Sequence, residues 1–157
     1  MDRTEPADRP EGLTMTDLDP KLLEVVRQRN LGSLATIKRD GRPQLSNVNF
    51  TFDADTALLR ASVTDDRAKV RNLRRDPRAS VLVSSADGWS YTVLEGDVTF
   101  SEVAASPDDA AVEELVEVYR LVAGEHPDWD DYRRAMVHDR RLVLRLQVTH
   151  AYGMAPG

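Results

Sequence analysis

Apolar residues recur along this chain in two rhythms. Leu22, Leu23, Val25 and Val26 make a helical stripe that reaches about Arg29. Asp19-Pro20 ahead of it reads as an N-cap with proline at the first helical position. From Leu31 the pattern changes to that of strands. Leu31–Lys38 is the first, and Arg39-Asp40-Gly41-Arg42 is a hairpin turn, because Asp-Gly supplies the positive φ such turns need. Pro43–Phe52 is the second strand, Asp53–Thr56 an acidic turn, and Ala57–Val63 the third strand. Asp65 or Asp66 then caps a short helix that stops near Asp76-Pro77. Ala79–Ser85 is the fourth strand, Ala86-Asp87-Gly88 a turn, and Trp89–Ser101 a long fifth strand with a bulge at Gly96. Ser106-Pro107-Asp108-Asp109 starts a helix that runs to about Ala123 and is stopped by Gly124. Pro127–Val137 is a further short helix. Arg141–Val148 alternates as a half-buried strand, and Tyr152–Gly157 is loop. Six strands joined mostly by tight turns predict a mainly β (α+β) fold, a small antiparallel barrel with peripheral helices.

Composition narrows the function classes. The chain has 157 residues, 41% apolar and 31% charged, which fits one globular domain over residues 17–157. Residues 1–16 are polar, carry Pro6 and Pro10, and are expected to be disordered. There is no cysteine, so disulfides, thiolate metal sites and thiol catalysis are excluded. No apolar run approaches the ~20 residues of a membrane-spanning helix. The first twelve residues lack the apolar core of a secretory signal, so a cytoplasmic location is expected. A net charge of −6 argues against a broad nucleic-acid-binding face.

One segment departs from that acidic background. Arg67 to Arg78 holds six cations (Arg67, Lys69, Arg71, Arg74, Arg75, Arg78) and one acid, Asp76, a local charge of about +5. Such an island implies an anionic ligand. Ser62 and Thr64 end a strand just before it, so hydroxyls, helical N–H groups, Arg67 and Lys69 meet around one point suited to a phosphate. Two cations in a first helical turn oppose the helix dipole and cost stability unless an anion offsets them. Lys69 is one of only three lysines among 21 basic residues, in a chain that otherwise uses arginine. Arg71, Arg74 and Arg75 fall with Arg67 on one arc, and read either as a solvated, paired face or as contacts to a longer anionic ligand.

The run R-A-K-V-R-N-L-R-R-D-P-R-A-S-V-L-V, followed by W-S-Y-T-V-L-E-G, resembles the flavin-binding region of the pyridoxamine 5′-phosphate oxidase-like superfamily. Leu34–Val48 resembles that superfamily's first hairpin, and Asp128–Val137 resembles its actinobacterial branch that uses the deazaflavin F420. The resemblance spans roughly Leu31 to Tyr152. It implies a split β-barrel of the FMN-binding type and a homodimer with cofactor sites at the subunit interface. It implies that Arg67 and Lys69 bind the cofactor phosphate, that Ser62, Val63 and Thr64 lie along the cofactor, and that Asn72 is a polar helix position near the phosphate. Gln44 and Asn47 match ring contacts, and Trp89 and Tyr91 match positions that reach the ring and substrate pocket from the partner subunit. The implied activity is F420-dependent hydride transfer to a conjugated small molecule such as a quinone or a tetrapyrrole. An FMN-binding oxidase or reductase, and a non-catalytic F420 carrier, are the alternatives. Pyridoxamine phosphate oxidases end in a Trp- and Arg-rich segment that grips their substrate. Leu146–Gly157 holds neither residue type, so vitamin B6 oxidation is not expected.

Other chemistries have weaker footing. His126, His138 and His150 lack the close spacing of a zinc site, and no metal is expected. No G-x-S-x-G elbow is present.

Overall fold

The computed structural model describes residues 18–156; the segment 1–16 expected to be disordered lies outside them. In chain order the elements are α1 (Pro20–Arg27), β1 (Leu31–Ile37), β2 (Pro43–Asn49), β3 (Thr51–Asp53), β4 (Leu58–Thr64), α2 (Ala68–Arg75), β5 (Arg78–Ser84), β6 (Tyr91–Phe100), α3 (Ala110–Ala123), α4 (Trp129–His138) and β7 (Arg141–Met154). All strands pair antiparallel in one sheet, in the order β2-β1-β5-β6-β7-β4-β3. The two edge strands, β2 and β3, are neighbours in sequence, so the sheet curls back toward its own start without a ladder closing it. That is the expected split barrel.

Among the described residues there are seven strands rather than six. The run Pro43–Phe52 is interrupted as a strand at Phe50, whose N–H donates to the Asn30 carbonyl at 2.9 Å while its ring is buried. The chain changes partner there: β2 pairs β1, and β3 pairs β4. The tail also differs from the loop expected after Tyr152. Tyr152, Gly153 and Met154 pair with Val93, Thr92 and Tyr91, so β7 continues to Met154. The bulge at Gly96 is present: the β6–β7 register shifts between Glu95 and Gly96, and a Cβ at Gly96 would run into the Gln147 carbonyl.

Capping sorts the helices. Asp19 caps α1 by accepting from the Lys21 N–H at 2.9 Å. Within the expected Ser106–Asp109 start, Asp109 caps α3 by accepting from the Val112 N–H at 2.9 Å, and its carboxylate also gathers the N–H groups of Ala105 and Ser106. Gly124 ends α3 at φ 87°. Asp128 caps α4, which starts two residues after the expected Pro127.

Two cores result. The barrel interior packs Leu34, Phe50, Leu59, Val81, Leu94, Leu142, Leu144 and Leu146 with Val26 of α1 and Val70 and Leu73 of α2. On the other face of β7, Val143 meets α3 and α4 through Val112, Leu115, Val116, Tyr132 and Met136. Arg60 on β4 and Arg145 on β7 both bond Glu114, at 3.4 and 3.0 Å, and so tie α3 to the sheet. No helix among the described residues is long and apolar enough to cross a membrane.

Candidate functional site

β4 alternates with Leu59, Ala61 and Val63 inward, so Arg60, Ser62 and Thr64 face out. The chain then turns, with the Arg67 N–H on the Thr64 carbonyl at 3.1 Å, and enters α2. Neither Asp65 nor Asp66 caps this helix. The N-cap position belongs to Arg67, which makes no side-chain cap bond, and no acid stands in the first turn. Asp65 is drawn off by Arg140 at 3.0 Å and Arg74 at 3.3 Å, which hold its carboxyl below the ordinary carboxylate range. A helix N-terminus with cations and no acid is therefore left beside the end of β4.

These groups form one wall of a cleft of about 570 Å³. Six of the ten sequence-predicted site residues line it: Asn47, Ser62, Val63, Thr64, Arg67 and Lys69. The opposite wall comes from α3 and α4, through Val118, Tyr119, Val122, Tyr132 and Met136, and Arg141 joins from the start of β7. Among the described residues, no carboxylate lines the cleft. Burial, and then the charges of Arg67 and Arg141, push the Lys69 ammonium below its ordinary value. Among the described residues, neither Arg67 nor Lys69 has a side-chain hydrogen bond or ion pair. The buried Nε of Arg141 likewise has no partner. Three cations that converge without an acid fit an oxyanion, so the residues present suit a phosphate-bearing cofactor.

The other four cations of the basic segment are satisfied within the chain. Arg71 donates to the Asp66 carbonyl, Arg75 to the Ile37 carbonyl, and Arg78 to Asp76 at 2.8 Å. Arg74 pairs with Asp65 and lies over the Phe100 ring, 5.0 Å from its centroid. The arginine arc thus reads as a paired face and carries no argument for a longer ligand.

Four predicted residues stand outside the cleft. Asn72 is buried on the inner side of α2, where its Nδ2 donates to Thr36 Oγ1 at 3.1 Å; that hydroxyl donates to Gln44 Oε1 at 2.8 Å. Asn72 and Gln44 therefore clasp α2, β1 and β2 together. Trp89 sits in the β5–β6 turn, 80% exposed, and Tyr91 begins β6.

Sequence reasoning missed Arg141 and the helical wall. Arg141 is opposite Thr64 in the β4–β7 register, which only the pairing of distant strands reveals. Tyr119 is held edge-on by His126, Trp129 and Tyr132, with centroids 5.0 to 5.6 Å away. The Tyr132 hydroxyl donates to the Leu115 carbonyl at 3.0 Å, and burial pushes its pKa to about 12, so it is a packing group rather than an acid. The i, i+3 spacing of Trp129 and Tyr132, which puts both rings on one helix face, is the signal in the sequence that could have found this cluster.

A family model described as pyridoxamine 5′-phosphate oxidase matches residues 18–155. The chain belongs to this family. It is 29% identical over 142 residues to the F420H(2)-dependent biliverdin reductase of Mycobacterium tuberculosis (strain CDC 1551 / Oshkosh), covering 90% of this chain and 92% of that protein. A solved structure described as an F420 reductase superposes with a TM-score of 0.55 at 25% identity, covering 91% of this chain and 98% of that one. A conserved hypothetical protein of M. tuberculosis gives a TM-score of 0.67 at 20% identity, covering 94% and 88%, a likeness of fold.

Proposed function

We propose that this protein is an F420-dependent reductase acting on a conjugated small-molecule acceptor such as a quinone or a tetrapyrrole. The observation that carries the reading is the acid-free cationic cleft at the junction of β4 and α2. The relative that uses F420H(2), similar over nearly the whole chain, supports the choice of cofactor. When bound and reduced, F420 supplies a hydride. Arg67 and Lys69 would hold its phosphate, with Ser62, Val63 and Thr64 along it and Asn47 at the ring. The α3–α4 wall would keep water from one side of the cleft. FMN is the second reading, since it also carries a phosphate and is the cofactor of the family's split-barrel type.

Cofactor choice is tested by calorimetric titration of F420 against FMN, followed by anaerobic oxidation of reduced F420 over an acceptor panel. Tighter binding of F420 with turnover is expected. FMN binding more tightly would overturn the choice of cofactor, and tight F420 binding without turnover of any acceptor would leave a carrier.

The working unit in this proposal is a homodimer. The outward residues Asn47, Ser33, Leu82, Val93 and Tyr152 sit side by side across β2, β1, β5, β6 and β7. Leu31, Leu45 and Met154 extend this face and are 44%, 66% and 59% exposed. Asn47 belongs both to the face and to the cleft, so a second copy docked there would close the cleft. Its Tyr91, opposite Met154 at the end of this face, and Trp89 in the adjoining β5–β6 turn are proposed to reach the neighbouring site. Sedimentation at micromolar concentration should give twice the chain mass. A monomer that binds cofactor with full affinity would refute this arrangement.

A further inference from the structure

We propose that Arg141 is a third ligand for the anionic group held in the cleft, an inference that rests on the reading of the cleft as a phosphate site. Arg67 and Lys69 come from α2, whereas Arg141 comes from β7, opposite Thr64. The anion would thus be gripped from two independent elements. Arg141 Nη1 reaches the Ser62 carbonyl and hydroxyl only at 3.4 Å, near the limit of a hydrogen bond. Its Nε is buried without an acceptor. A buried guanidinium N–H without a partner costs free energy that an incoming oxyanion can return.

Among the described residues, no carboxylate takes this role. A shallow depression continues from the cleft past Arg67 and Arg141 and holds Asp66 and Asp139. Asp139 faces His138 Nδ1 at 3.2 Å, and neither acid pairs with Arg141. Elsewhere the buried or half-buried arginines are matched: Arg60 and Arg145 share Glu114, and Arg133 meets Glu113 at 2.8 Å. Arg141 stands instead beside two like charges, and its own charge helps depress Lys69.

A ligand role and a packing role predict opposite energetics. An arginine kept for packing stabilises the free protein. An arginine kept for an anion strains the free protein and stabilises only the complex. Arg141→Met retains the aliphatic stem and removes the charge and the unmatched donor. Its melting temperature without ligand should equal or exceed that of the wild type, while its dissociation constant for inorganic phosphate rises roughly tenfold. Arg141→Lys should recover part of that affinity. In the wild type, phosphate should shift the Arg141 Nε–H resonance downfield, a readout that needs no variant to fold beyond Arg141→Lys for assignment. A lowered melting temperature with unchanged phosphate affinity, or an Nε–H resonance indifferent to phosphate, would overturn the proposal. If Lys69→Ala loses phosphate and Arg141→Met does not, only the role of Arg141 falls. If neither variant changes phosphate binding, the reading of the cleft falls with it.

Discussion

Replacing Lys69 with alanine removes an ammonium from the cleft and leaves α2 in place. Val70 and Leu73 fix the helix in the barrel core, and Asn72 fastens it to Thr36. Lys69 has no side-chain hydrogen bond or ion pair among the described residues, and alanine is the best helix former. The loss should therefore appear in binding. One charge-assisted contact to a phosphate is worth about 1.5–3 kcal/mol, roughly a 10- to 150-fold rise in the dissociation constant. The sign with pH follows from the depressed ammonium. Burial and the charges of Arg67 and Arg141 lower its pKa below 10.5 in the free protein, and a bound anion raises it again. Affinity should then fall as pH rises through the lowered value, with proton uptake on binding in that range. The same depression means that the unfolded chain holds this proton more tightly. Lys69 therefore costs the free protein stability at neutral pH, a cost that fades as pH climbs from the folded value toward 10.5.

Calorimetry with F420 and with inorganic phosphate, at fixed ionic strength and at neutral and alkaline pH, measures all of this. Arg74→Gln is the internal control. Its guanidinium pairs with Asp65 and is half exposed, so its removal should leave binding unchanged. Unchanged affinity in both Lys69→Ala and Arg67→Ala would refute the phosphate assignment.

Two further outcomes separate positioning from binding. Asn72→Ala should lower the urea-derived stability by about 1–2 kcal/mol, because it leaves Thr36 and Arg75 short of a partner. Phosphate affinity should change by less than about threefold, and a tenfold loss at unchanged stability would put this side chain on the ligand. Glu114→Gln should cost about 1–3 kcal/mol by loosening α3 from Arg145 and Arg60. Those two arginines hold the Glu114 carboxyl below its ordinary 4.5, so its stabilisation is full above that value. The gap between wild type and variant should close as pH falls through the depressed folded value, and a gap independent of pH would refute the pairing.

What could be read in advance depended on how local its cause was. The Asp40-Gly41 turn, the Gly96 bulge and the Gly124 helix stop rest on residues that need special backbone freedom, and they were legible. So was the phosphate-binding corner, because Ser62, Thr64, Arg67 and Lys69 lie within eight residues of one another and one strand-to-helix turn brings them together. The break at Phe50 was not legible. Alternation continues through it, and only closure of the sheet decides that the chain leaves β1 there and pairs with β4 as β3. The helix cap was misread for a similar reason. Asp65 is a good cap by residue type, but Arg140, 75 positions away, holds its carboxylate.

The same distinction decides which cations make a site. Six basic residues in twelve positions look alike in sequence, and their summed charge leaves both a paired face and contacts to a longer anionic ligand open. The fold gives Arg71, Arg74, Arg75 and Arg78 partners of their own: two backbone carbonyls, Asp65 with the Phe100 ring, and Asp76. It leaves Arg67 and Lys69 unmatched and adds Arg141 from a strand more than sixty residues on. A matched cation gains little more from an incoming anion, because its field is already largely neutralised. An unmatched one, held against like charges in a partly dry cleft, gains most. Binding energy at this site therefore follows from which cations lack a partner rather than from how many there are. Salt should weaken phosphate binding through Arg67, Lys69 and Arg141 while leaving the arginine arc without effect.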